Sequence, residues 1–449
     1  MKNGKREIAI LGAGESGTGA AILAKKQGLA VFVSDNGAIT PEYKSVLKNF
    51  DIDFEEKGHS VDRILNAAEI IKSPGIPEKA EVVRKAVEKG IPVISEIEFA
   101  ARYTRAKLIC ITGSNGKTTT TLLTFHVLKN AGLNVGLAGN VGESFAWQVA
   151  EKDFDYYVLE ISSFQLDGMY DFKADIAILT NITPDHLDRY EYDFQNYIDS
   201  KFRILQNMTN HDAFIFNADD PVTIRELKKR NIIPKKYGLT LSDNEMENGA
   251  WIKDNRLIFN TNKNRFDMTL EQLALQGRHN TYNSMAAGVA SRLVDVRKES
   301  IKQSLSDFEN IPHRLEYVSN VHGISFINDS KATNINSTWY ALEYVDAPTV
   351  WIAGGQDKGN DYSELKELVK QKVKAIVCLG VDNAKLHEAF EDDVEFMVDA
   401  GSAREAVVYA YNLARKGDIV LLSPACASFD LFENYQDRGD QFKKAVKEL

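Results

Sequence analysis

Short apolar runs alternate with longer stretches of mixed polarity along most of the chain. Continuous apolar runs of this length are typical of strands in parallel sheets that helices cover on both faces. The alternation restarts twice, so the pattern predicts an α/β protein with three domains, at residues 1–97, 98–309 and 310–449. The predicted strands cover residues 7–11, 30–34, 69–72, 92–95, 108–111, 156–159, 176–179, 213–216, 325–327, 349–353, 375–378 and 419–422.

Residues 237–275 depart from this pattern because they are more polar. Two short apolar runs, Trp251-Ile252 and Arg256-Leu257-Ile258-Phe259, lie close together there and predict a hairpin inside the second domain. No low-complexity tract or sequence repeat interrupts the three segments.

Composition and charge narrow the class of protein. The 449 residues are 44% hydrophobic and 26% charged, as in an ordinary globular protein. The formal net charge of −10 argues against a general binder of nucleic acids or membrane surfaces. Cys110, Cys378 and Cys426 are scattered and odd in number, which predicts core thiols in a reducing compartment. Without a signal-peptide pattern or a membrane-length apolar run, we expect a cytoplasmic protein, a monomer by default.

The most informative segment is residues 108–121. It combines an apolar strand, a loop bounded by glycines, a lysine, and threonines that enter a helical pattern. Glycines let backbone N–H groups approach phosphate oxygens, and a helix N-terminus adds partial positive charge. Lys117 can reach the terminal phosphates and the Thr118 hydroxyl can hold Mg²⁺, so the segment predicts ATP binding rather than an ordinary turn. The loop and helix start comprise Gly113, Ser114, Asn115, Gly116, Lys117, Thr118 and Thr119, a shorter spacing than in the standard phosphate loop.

A second glycine loop follows the first predicted strand. Residues 12–17 match the pattern Gly-x-Gly-x-x-Gly, and Asp35 ends the next strand, close to where a ribose-binding acid is expected. The motif is weakly specific, because it predicts only a tight turn that faces a phosphate. A nicotinamide dinucleotide and another pyrophosphate ligand, such as a UDP-sugar, both satisfy it.

Polar side chains follow two strands of the second domain. Glu160 comes directly after residues 156–159, and a polar cluster at 181–188 follows residues 176–179. Ligands of open α/β sheets bind beyond the carboxyl ends of the strands, so Glu160 is a candidate ligand of Mg²⁺. His186 is either a second ligand or a structural histidine, since histidine is uncommon around Mg²⁺. Asn140 is either a turn residue or a donor to a substrate.

Seven ordered motifs resemble those of the ATP-dependent Mur ligases, from the first strand to the last helix. They are residues 112–118, Glu160 with Ser162-Ser163, and residues 181–188, 277–280, 312–316, 328–334 and 423–430. The last motif is similar to that of the D-glutamate-adding branch, and the Asp-Asn-Pro-Arg box of the meso-diaminopimelate-adding branch is absent. The resemblance implies an N-terminal Rossmann-like domain, a central P-loop ATPase-like domain with a parallel sheet, and a C-terminal Rossmann-like domain.

The same resemblance implies a reaction of peptidoglycan precursor synthesis, in which D-glutamate is added to UDP-N-acetylmuramoyl-L-alanine. The alanine carboxylate would take the γ-phosphoryl group of ATP to form an acyl phosphate. The amine of D-glutamate would attack that carbonyl through a tetrahedral intermediate, leaving ADP and phosphate. Because several anions must meet, catalysis of this kind depends on positioning and charge stabilisation.

Site residues carried over from the family fall into groups by role. The catalytic group is Lys117, Glu160, His186, Lys201 and Lys331, and the Mg²⁺ ligands are Thr118, Glu160, His186 and Lys201 in carbamylated form. The ATP contacts are residues 113–119, Asn280, Arg314 and Asp329. The UDP-substrate contacts are Glu15, Ser16, Asn36, Gly75, Asn140 and His186, with Asn36-Gly37 in place of a Thr-Arg pair of some relatives. The D-glutamate contacts are Thr333, Lys358, Ser428 and Tyr435, the last often phenylalanine in the family.

The predicted ATP loop and the predicted D-glutamate contacts lie on different domains. We therefore expect a hinge near Asn310-Ile311-Pro312 that closes on the ligands. Three alternatives stay open at this stage. They are a folylpolyglutamate synthetase-like ligase of the same family, a nicotinamide-dependent oxidoreductase that uses the first glycine loop, and a non-catalytic nucleotide-switch or motor protein.

Overall fold

A computed structural model describes residues 7–262, 264–308, 312–357 and 359–449. The chain forms two compact units, Met1–Phe308 and Glu309–Leu449. Residues 310 and 311 of the predicted hinge, and Lys358, lie outside the described residues.

The first sheet of the first unit has five parallel strands with helices between them. The strands are β1 (Ile8–Leu11), β2 (Val31–Ser34), β3 (Asp53–Glu55), β4 (Glu69–Lys72) and β5 (Val93–Ser95). The helices are α1 (Glu15–Lys26), α2 (Pro41–Asn49), α3 (Val61–Ile64), α4 (Glu81–Glu88) and α5 (Glu96–Ala101). The order β3-β2-β1-β4-β5 is that of a doubly wound sheet, and it confirms the Rossmann-like prediction.

The second sheet of this unit has nine strands. They are β6 (Lys107–Thr112), β7 (Val135–Gly139), β8 (Tyr156–Glu160), β9 (Ile176–Leu179), β10 (Ala213–Asn217), β11 (Lys235–Thr240), β12 (Gly249–Lys253), β13 (Arg256–Thr261) and β14 (Asn264–Thr269). The order is β14-β13-β12-β11-β10-β9-β6-β8-β7. The strands from β12 to β7 are parallel, and the predicted hairpin forms as antiparallel β12 and β13, with Trp251 opposite Ile258.

Helices cover both faces of this sheet. They are α6 (Lys117–Asn130), α7 (Phe145–Glu151), α8 (Ser163–Asp167), α9 (Phe194–Phe202), α10 (Pro221–Lys229), α11 (Arg278–Leu293) and α12 (Lys298–Ser306), with short 3₁₀ helices at Leu187–Arg189, Arg203–Leu205 and Leu270–Gln272. One apolar cluster includes Ala20 and Leu23 of α1 together with Phe145 of α7, so the first two sheets share a core. The boundary after residue 97 stays a prediction, and α5 runs across it.

The second unit contains a six-stranded sheet. Its strands are β15 (Glu316–Val321), β16 (Ile324–Asn328), β17 (Thr349–Ala353), β18 (Val373–Leu379), β19 (Phe396–Ala400) and β20 (Ile419–Leu422). Its helices are α13 (Ile335–Tyr344), α14 (Lys366–Lys372), α15 (Ala384–Phe390), α16 (Ala403–Leu413) and α17 (Tyr435–Lys447), with a 3₁₀ helix at Tyr362–Leu365. The order is β15-β16-β20-β17-β18-β19, parallel except for β15. Among all the described helices of the chain, none combines the length and apolar character needed to cross a bilayer.

Candidate active site

The loop between β6 and α6 has the backbone of a phosphate cradle. Gly113 and Gly116 have φ angles of +143° and +81°, which side-chain-bearing residues rarely adopt. A Cβ on Gly113 would lie 2.0 Å from Thr180 Oγ1, and a Cβ on Gly116 would lie 2.6 Å from Asn283 Oδ1. Glycine is therefore required at both positions by conformation and by space, and the loop leads directly into the N-terminus of α6.

The segment after β9 holds this loop in place. The Asn115 N–H donates to Asn181 Oδ1 at 3.0 Å, and Asn181 Nδ2 donates to the Asn115 carbonyl at 3.1 Å. Ser114 Oγ donates to the Thr183 carbonyl at 2.8 Å and accepts from the Thr183 N–H at 2.9 Å. The polar cluster after residues 176–179 therefore shapes the phosphate loop, a role that the sequence did not indicate for Asn181.

The side chain of Lys117 folds back onto the loop that precedes it. Its Nζ donates to the carbonyls of Gly113 and Ser114, each at 2.8 Å. These two carbonyls hold the ammonium group beside the N-terminus of α6. The positive charge of Lys117 and the N-terminus of α6 thus lie side by side, where both can attract an anion.

A cleft of about 290 Å³ opens next to Lys117. It brings together several residues predicted for ATP, the metal and the UDP-substrate, including Gly75 from the first sheet. Its lining residues are Pro74, Gly75, Lys117, Asn140, Ser162, Ser163, Phe164, Asp185, His186, Arg189, Tyr197 and Lys201.

Glu160 ends strand β8 beside this cleft and is buried. Asn140 Nδ2 donates to Glu160 Oε1 at 2.8 Å, and the Asn140 N–H donates to the Glu160 carbonyl at 2.8 Å. His186 has a left-handed backbone with φ of +52°, and its ring lies 5.3 Å from that of Phe164. A left-handed non-glycine residue of this kind marks a position that the surrounding structure must hold.

Lys201 of α9 is fully buried at the inner end of the cleft. Its Nζ donates to Thr112 Oγ1 at 3.2 Å and lies 5.3 Å from the centre of the Tyr197 ring. Burial, and then the charge of Lys117, lower the pKa of Lys201 well below its ordinary value. Burial therefore disfavours the charged form of this amine.

Asn280 is linked to the phosphate loop by Asn283, a residue that the sequence analysis did not identify. Asn283, one turn later on α11, donates from Nδ2 to Asn280 Oδ1 at 3.2 Å. Its own Oδ1 accepts from Thr120 Oγ1 of α6 at 3.1 Å and lies against Gly116. Asn283 thus ties α11 to the helix that begins at Lys117.

The residues of the first glycine loop do not line this cleft. Glu15, Ser16 and Asn36 do not line it, and Glu15 Oε1 accepts from the Ser144 N–H at 2.9 Å. Asp35 accepts from the Ala13 N–H at 2.7 Å, so this acid supports the loop itself. Of the residues predicted for the UDP-substrate, the cleft brings together Gly75, Asn140 and His186.

In the second unit, three loops meet beyond the carboxyl ends of β16, β17 and β20. The Ala425 N–H donates to the Ala332 carbonyl at 3.0 Å, and Gln356 pairs with Ala427 through bonds of 2.8 and 3.2 Å. Thr333 and Ser428 each follow one of these paired residues, so the loops that carry these two predicted D-glutamate contacts adjoin. Tyr435 begins α17, and its ring lies 5.2 Å from Lys331 Nζ.

Asp329 and Arg314 also lie close together in this unit. Burial raises the pKa of Asp329 to about 7, against the lowering effects of Ser423 and Arg314. Ser423 Oγ donates to Asp329 Oδ2 at 2.9 Å, and the Leu315 N–H reaches Oδ1 at 3.2 Å. Arg314 Nε is buried and has no hydrogen-bond partner among the described residues, whereas buried polar atoms usually have one.

Arg438 is a residue of this region that the sequence did not reveal. It is buried on α17 and donates to the carbonyls of Ser330 at 2.9 Å, Cys426 at 3.2 Å and Gly354 at 3.4 Å. Burial lowers its pKa to about 10. One guanidinium group thus holds all three loops. Its only signal in the sequence is a cation on the apolar side of an amphipathic helix.

Replacing Arg438 by methionine should destabilise the second unit, because the buried carbonyls lose their donors. We expect the free energy of unfolding to fall by about 2–5 kcal/mol in urea titrations. Arg404→Met, on the exposed side of α16, is the matched control and should change it by less than about 0.5 kcal/mol. Equal stability of the two variants would contradict the role of Arg438.

Comparisons with known proteins agree along the whole chain. Residues 7–82 match the MurD N-terminal domain, 111–291 the Mur ligase middle domain, and 313–426 the Mur ligase glutamate ligase domain. UDP-N-acetylmuramoylalanine–D-glutamate ligase of Bacteroides fragilis is 56% identical over 445 residues, which are 99% of this chain and 100% of that one.

Two solved structures share the fold. A pseudomurein peptide ligase type C from Methanothermus fervidus is 18% identical with a TM-score of 0.64, over 99% of both chains. MurF ligase from Thermotoga maritima in complex with ADP is 16% identical with a TM-score of 0.58, over 86% of this chain and 91% of that one. By its full-length identity to the curated relative, the chain belongs to the Mur ligases, in the family of UDP-N-acetylmuramoylalanine–D-glutamate ligases.

Proposed function

We propose that the protein joins D-glutamate to UDP-N-acetylmuramoyl-L-alanine with ATP, forming an amide bond in peptidoglycan precursor synthesis. The observation that carries the proposal is one cleft that combines a phosphate loop, the buried Lys201 and Gly75 of the first sheet, in a chain 56% identical to a ligase of that name. The proposal needs both the geometry of the cleft and the sequence identity, since a phosphate loop alone is found in many ATP-using enzymes.

ATP is proposed as the phosphoryl donor. The ADP of the Thermotoga MurF complex supports this choice, as does the geometry of the loop around Lys117. Mg²⁺ is proposed with it, because the Thr118 hydroxyl and the Glu160 carboxylate are oxygen donors that suit a hard cation. His186 completes the proposed set. When bound, Mg²⁺ would neutralise charge on the phosphates.

The proposed reaction requires two bond exchanges in the cleft. An oxygen of the alanine carboxylate attacks the γ-phosphorus, and the bond from phosphorus to ADP breaks. The D-glutamate nitrogen then attacks the acyl carbon, loses a proton, and inorganic phosphate leaves. Lys117 stabilises negative charge on the transferred phosphoryl group in both steps, while Asn140 and Glu160 hold the cleft wall.

Lys201 is proposed to carry a carbamate. The ammonium group first loses one proton; the neutral amine then attacks carbon dioxide, forms an N–C bond and releases a second proton, so that a cation becomes an anion. The fully buried position and the lowered pKa of Lys201 support this step, because only the unprotonated amine reacts. The carbamate would provide a further oxygen ligand for Mg²⁺.

The second unit is proposed to bind D-glutamate. Thr333, Ser428 and Tyr435 lie on or beside the loops that Arg438 holds, and Lys331 lies over the Tyr435 ring. A dicarboxylate requires cations and hydroxyl donors, which this set supplies. Lys358 follows the loop of Gln356 in the chain and is proposed to pair with one carboxylate.

Lys358→Ala should raise the KM for D-glutamate far more than that for ATP. Losing a charge-assisted contact costs about 1.5–3 kcal/mol, or about 10- to 150-fold in KM. Steady-state kinetics with each substrate varied in turn measure the effect. Lys370→Ala, an exposed lysine of α14, is the control and should leave both constants unchanged. A raised KM for ATP with an unchanged KM for D-glutamate would contradict the assignment.

The alternatives receive less support. A nicotinamide oxidoreductase would use the first glycine loop, but its reaction would not explain the cleft lined by Lys117 and Lys201. A folylpolyglutamate synthetase-like ligase would use the same ATP chemistry. The 56% identity to a D-glutamate ligase over the full chain favours the reaction proposed above.

A further inference from the structure

Three side chains of different chemistry meet at one edge of the third sheet. Cys378 of β18 and Asp399 of β19 are register partners in a parallel pair, so their side chains lie on the same face. Helix α15 follows β18 and packs on that face, since its Leu386 and Phe390 share an apolar cluster with Cys378. His387 of this helix brings its imidazole to the pair. The sulfur, a ring nitrogen and a carboxylate oxygen all lie within 4.8 Å of one another.

Neighbouring polar groups hold this cluster in place. His387 Nε2 lies 3.0 Å from Asp399 Oδ1. Asn383 Nδ2 donates to the same oxygen at 3.0 Å, and to the carbonyls of Cys378 at 3.2 Å and Gly380 at 3.3 Å. These three acceptors fix the orientation of the Asn383 amide. The cluster is therefore ordered by contacts from the strand end, the turn and the helix.

The amide oxygen of Asn383 is left without a donor. This buried atom has no hydrogen-bond partner among the described residues, although buried polar atoms usually have one. A cavity of about 380 Å³, lined by Asn383, His387 and Asp399, opens beside it. The site thus contains an unused oxygen acceptor and a route by which a small ion and water can enter.

We propose that Cys378, His387 and Asp399 bind one zinc ion in the folded protein. A thiolate, an imidazole and a carboxylate are the ligand types of zinc, whereas Mg²⁺ and Ca²⁺ prefer oxygen alone. In a tetrahedral zinc site the ligand atoms lie about 3.3–3.8 Å apart, so distances of up to 4.8 Å in the cluster would shorten by about 1 Å, while the 3.0 Å between His387 Nε2 and Asp399 Oδ1 would lengthen slightly. Water occupies the fourth position. Binding releases the thiol proton and replaces the hydrogen between His387 and Asp399.

The zinc ion would have a structural role that differs from the proposed ligase chemistry. Strand β19 is the edge of the sheet, and among the described residues of the second unit it pairs with β18 alone. The proposed ion joins this edge strand to β18 and α15 at one point. The residues proposed to bind D-glutamate follow β16, β17 and β20 instead. A ligand that binds only the folded state raises the melting temperature, so zinc should stabilise this unit.

Cobalt titration of the full-length protein tests the proposal. The protein is stripped with EDTA, dialysed free of chelator and titrated with Co²⁺. We expect a thiolate-to-cobalt charge-transfer band in the near ultraviolet that saturates at one equivalent and disappears when Zn²⁺ is added. Co²⁺ bound beside Glu160 and His186 gives no such band, because no cysteine lines that cleft.

Variants identify the ligands. Cys378→Ser should abolish the band, and His387→Gln should weaken Co²⁺ binding by about 10-fold or more. The controls are Cys110→Ala, which removes a buried thiol of the first unit, and His211→Gln, which removes an exposed imidazole. Both should keep the band. His387 is partly exposed, so the metal-free His387→Gln variant should melt like the parent, and its loss of binding then reports the ligand.

Two results would overturn the proposal. One is the absence of a charge-transfer band in the parent protein at several equivalents of Co²⁺. The other is a band of unchanged intensity and affinity in Cys378→Ser or in His387→Gln. Either result would leave the cluster as a hydrogen-bonded histidine–aspartate pair next to a structural thiol.

Discussion

Lys117→Ala is expected to lower kcat by about 100-fold or more, because negative charge on the transferred phosphoryl group loses its partner in the transition state. In the structure the Lys117 ammonium is held by the carbonyls of Gly113 and Ser114, beside the N-terminus of α6. Steady-state ADP release measures the effect. Binding of the UDP-substrate, followed by calorimetry, should persist, since four of its predicted contacts, Glu15, Ser16, Asn36 and Gly75, lie in loops and helices next to the first sheet.

Lys129→Ala is the matched control for this prediction. Lys129 is an exposed lysine in the last turn of the same helix, so its replacement removes the same charge without touching the loop. Its kcat should stay within about two-fold of the parent value. Full turnover by the Lys117 variant would remove the phosphate-loop assignment.

Lys201→Ala is expected to reduce activity nearly to background. If Lys201 carries a carbamate, the variant loses an anion beside Mg²⁺ and leaves a cavity at the inner end of the cleft. Small carboxylates such as acetate or formate fit that cavity and replace the missing charge. We therefore expect partial recovery of ADP release as their concentration rises.

Lys117→Ala provides the comparison for this rescue. It removes a cation rather than an anion, so acetate and formate should not restore its activity. Intact mass spectrometry in bicarbonate buffer gives a second readout, because a carbamate adds the mass of carbon dioxide to the parent protein. An active, metal-loaded enzyme with unmodified Lys201 would contradict the carbamate.

Most central strands of the three sheets could be predicted from the sequence, and most edge strands could not; the exceptions are the edge strand β5, which is predicted at residues 92–95, and the interior strand β11, which is not. Interior strands such as β6 and β17 are covered on both faces, which leaves long apolar runs. Strands β3, β7, β14, β15 and β19 lie at sheet edges and include charged residues or glycine, so no such run marks them. Edge strands face solvent and are under less pressure to be apolar.

Some residues of the candidate site could likewise be predicted from the sequence, and others could not. Gly113, Gly116 and Lys117 follow each other in the chain, so their combined chemistry is visible in the sequence. Asn283 and Arg438 act on loops that are distant in sequence, and only the packing of α11 and α17 brings them there. The low pKa of Lys201 likewise depends on burial and on Lys117, which no local pattern encodes. Family resemblance supplied Lys201 before its environment was known.

ADP release with UDP-N-acetylmuramoyl-L-alanine, ATP and Mg²⁺, measured while the added amino acid is varied, tests the central claim most directly. With D-glutamate we predict sustained release, with one amide product formed per ADP by mass spectrometry. L-glutamate, D-alanine and meso-diaminopimelate should each give little more than the rate without any amino acid. Release that is as fast without D-glutamate, or that requires a different amino acid, would contradict the account.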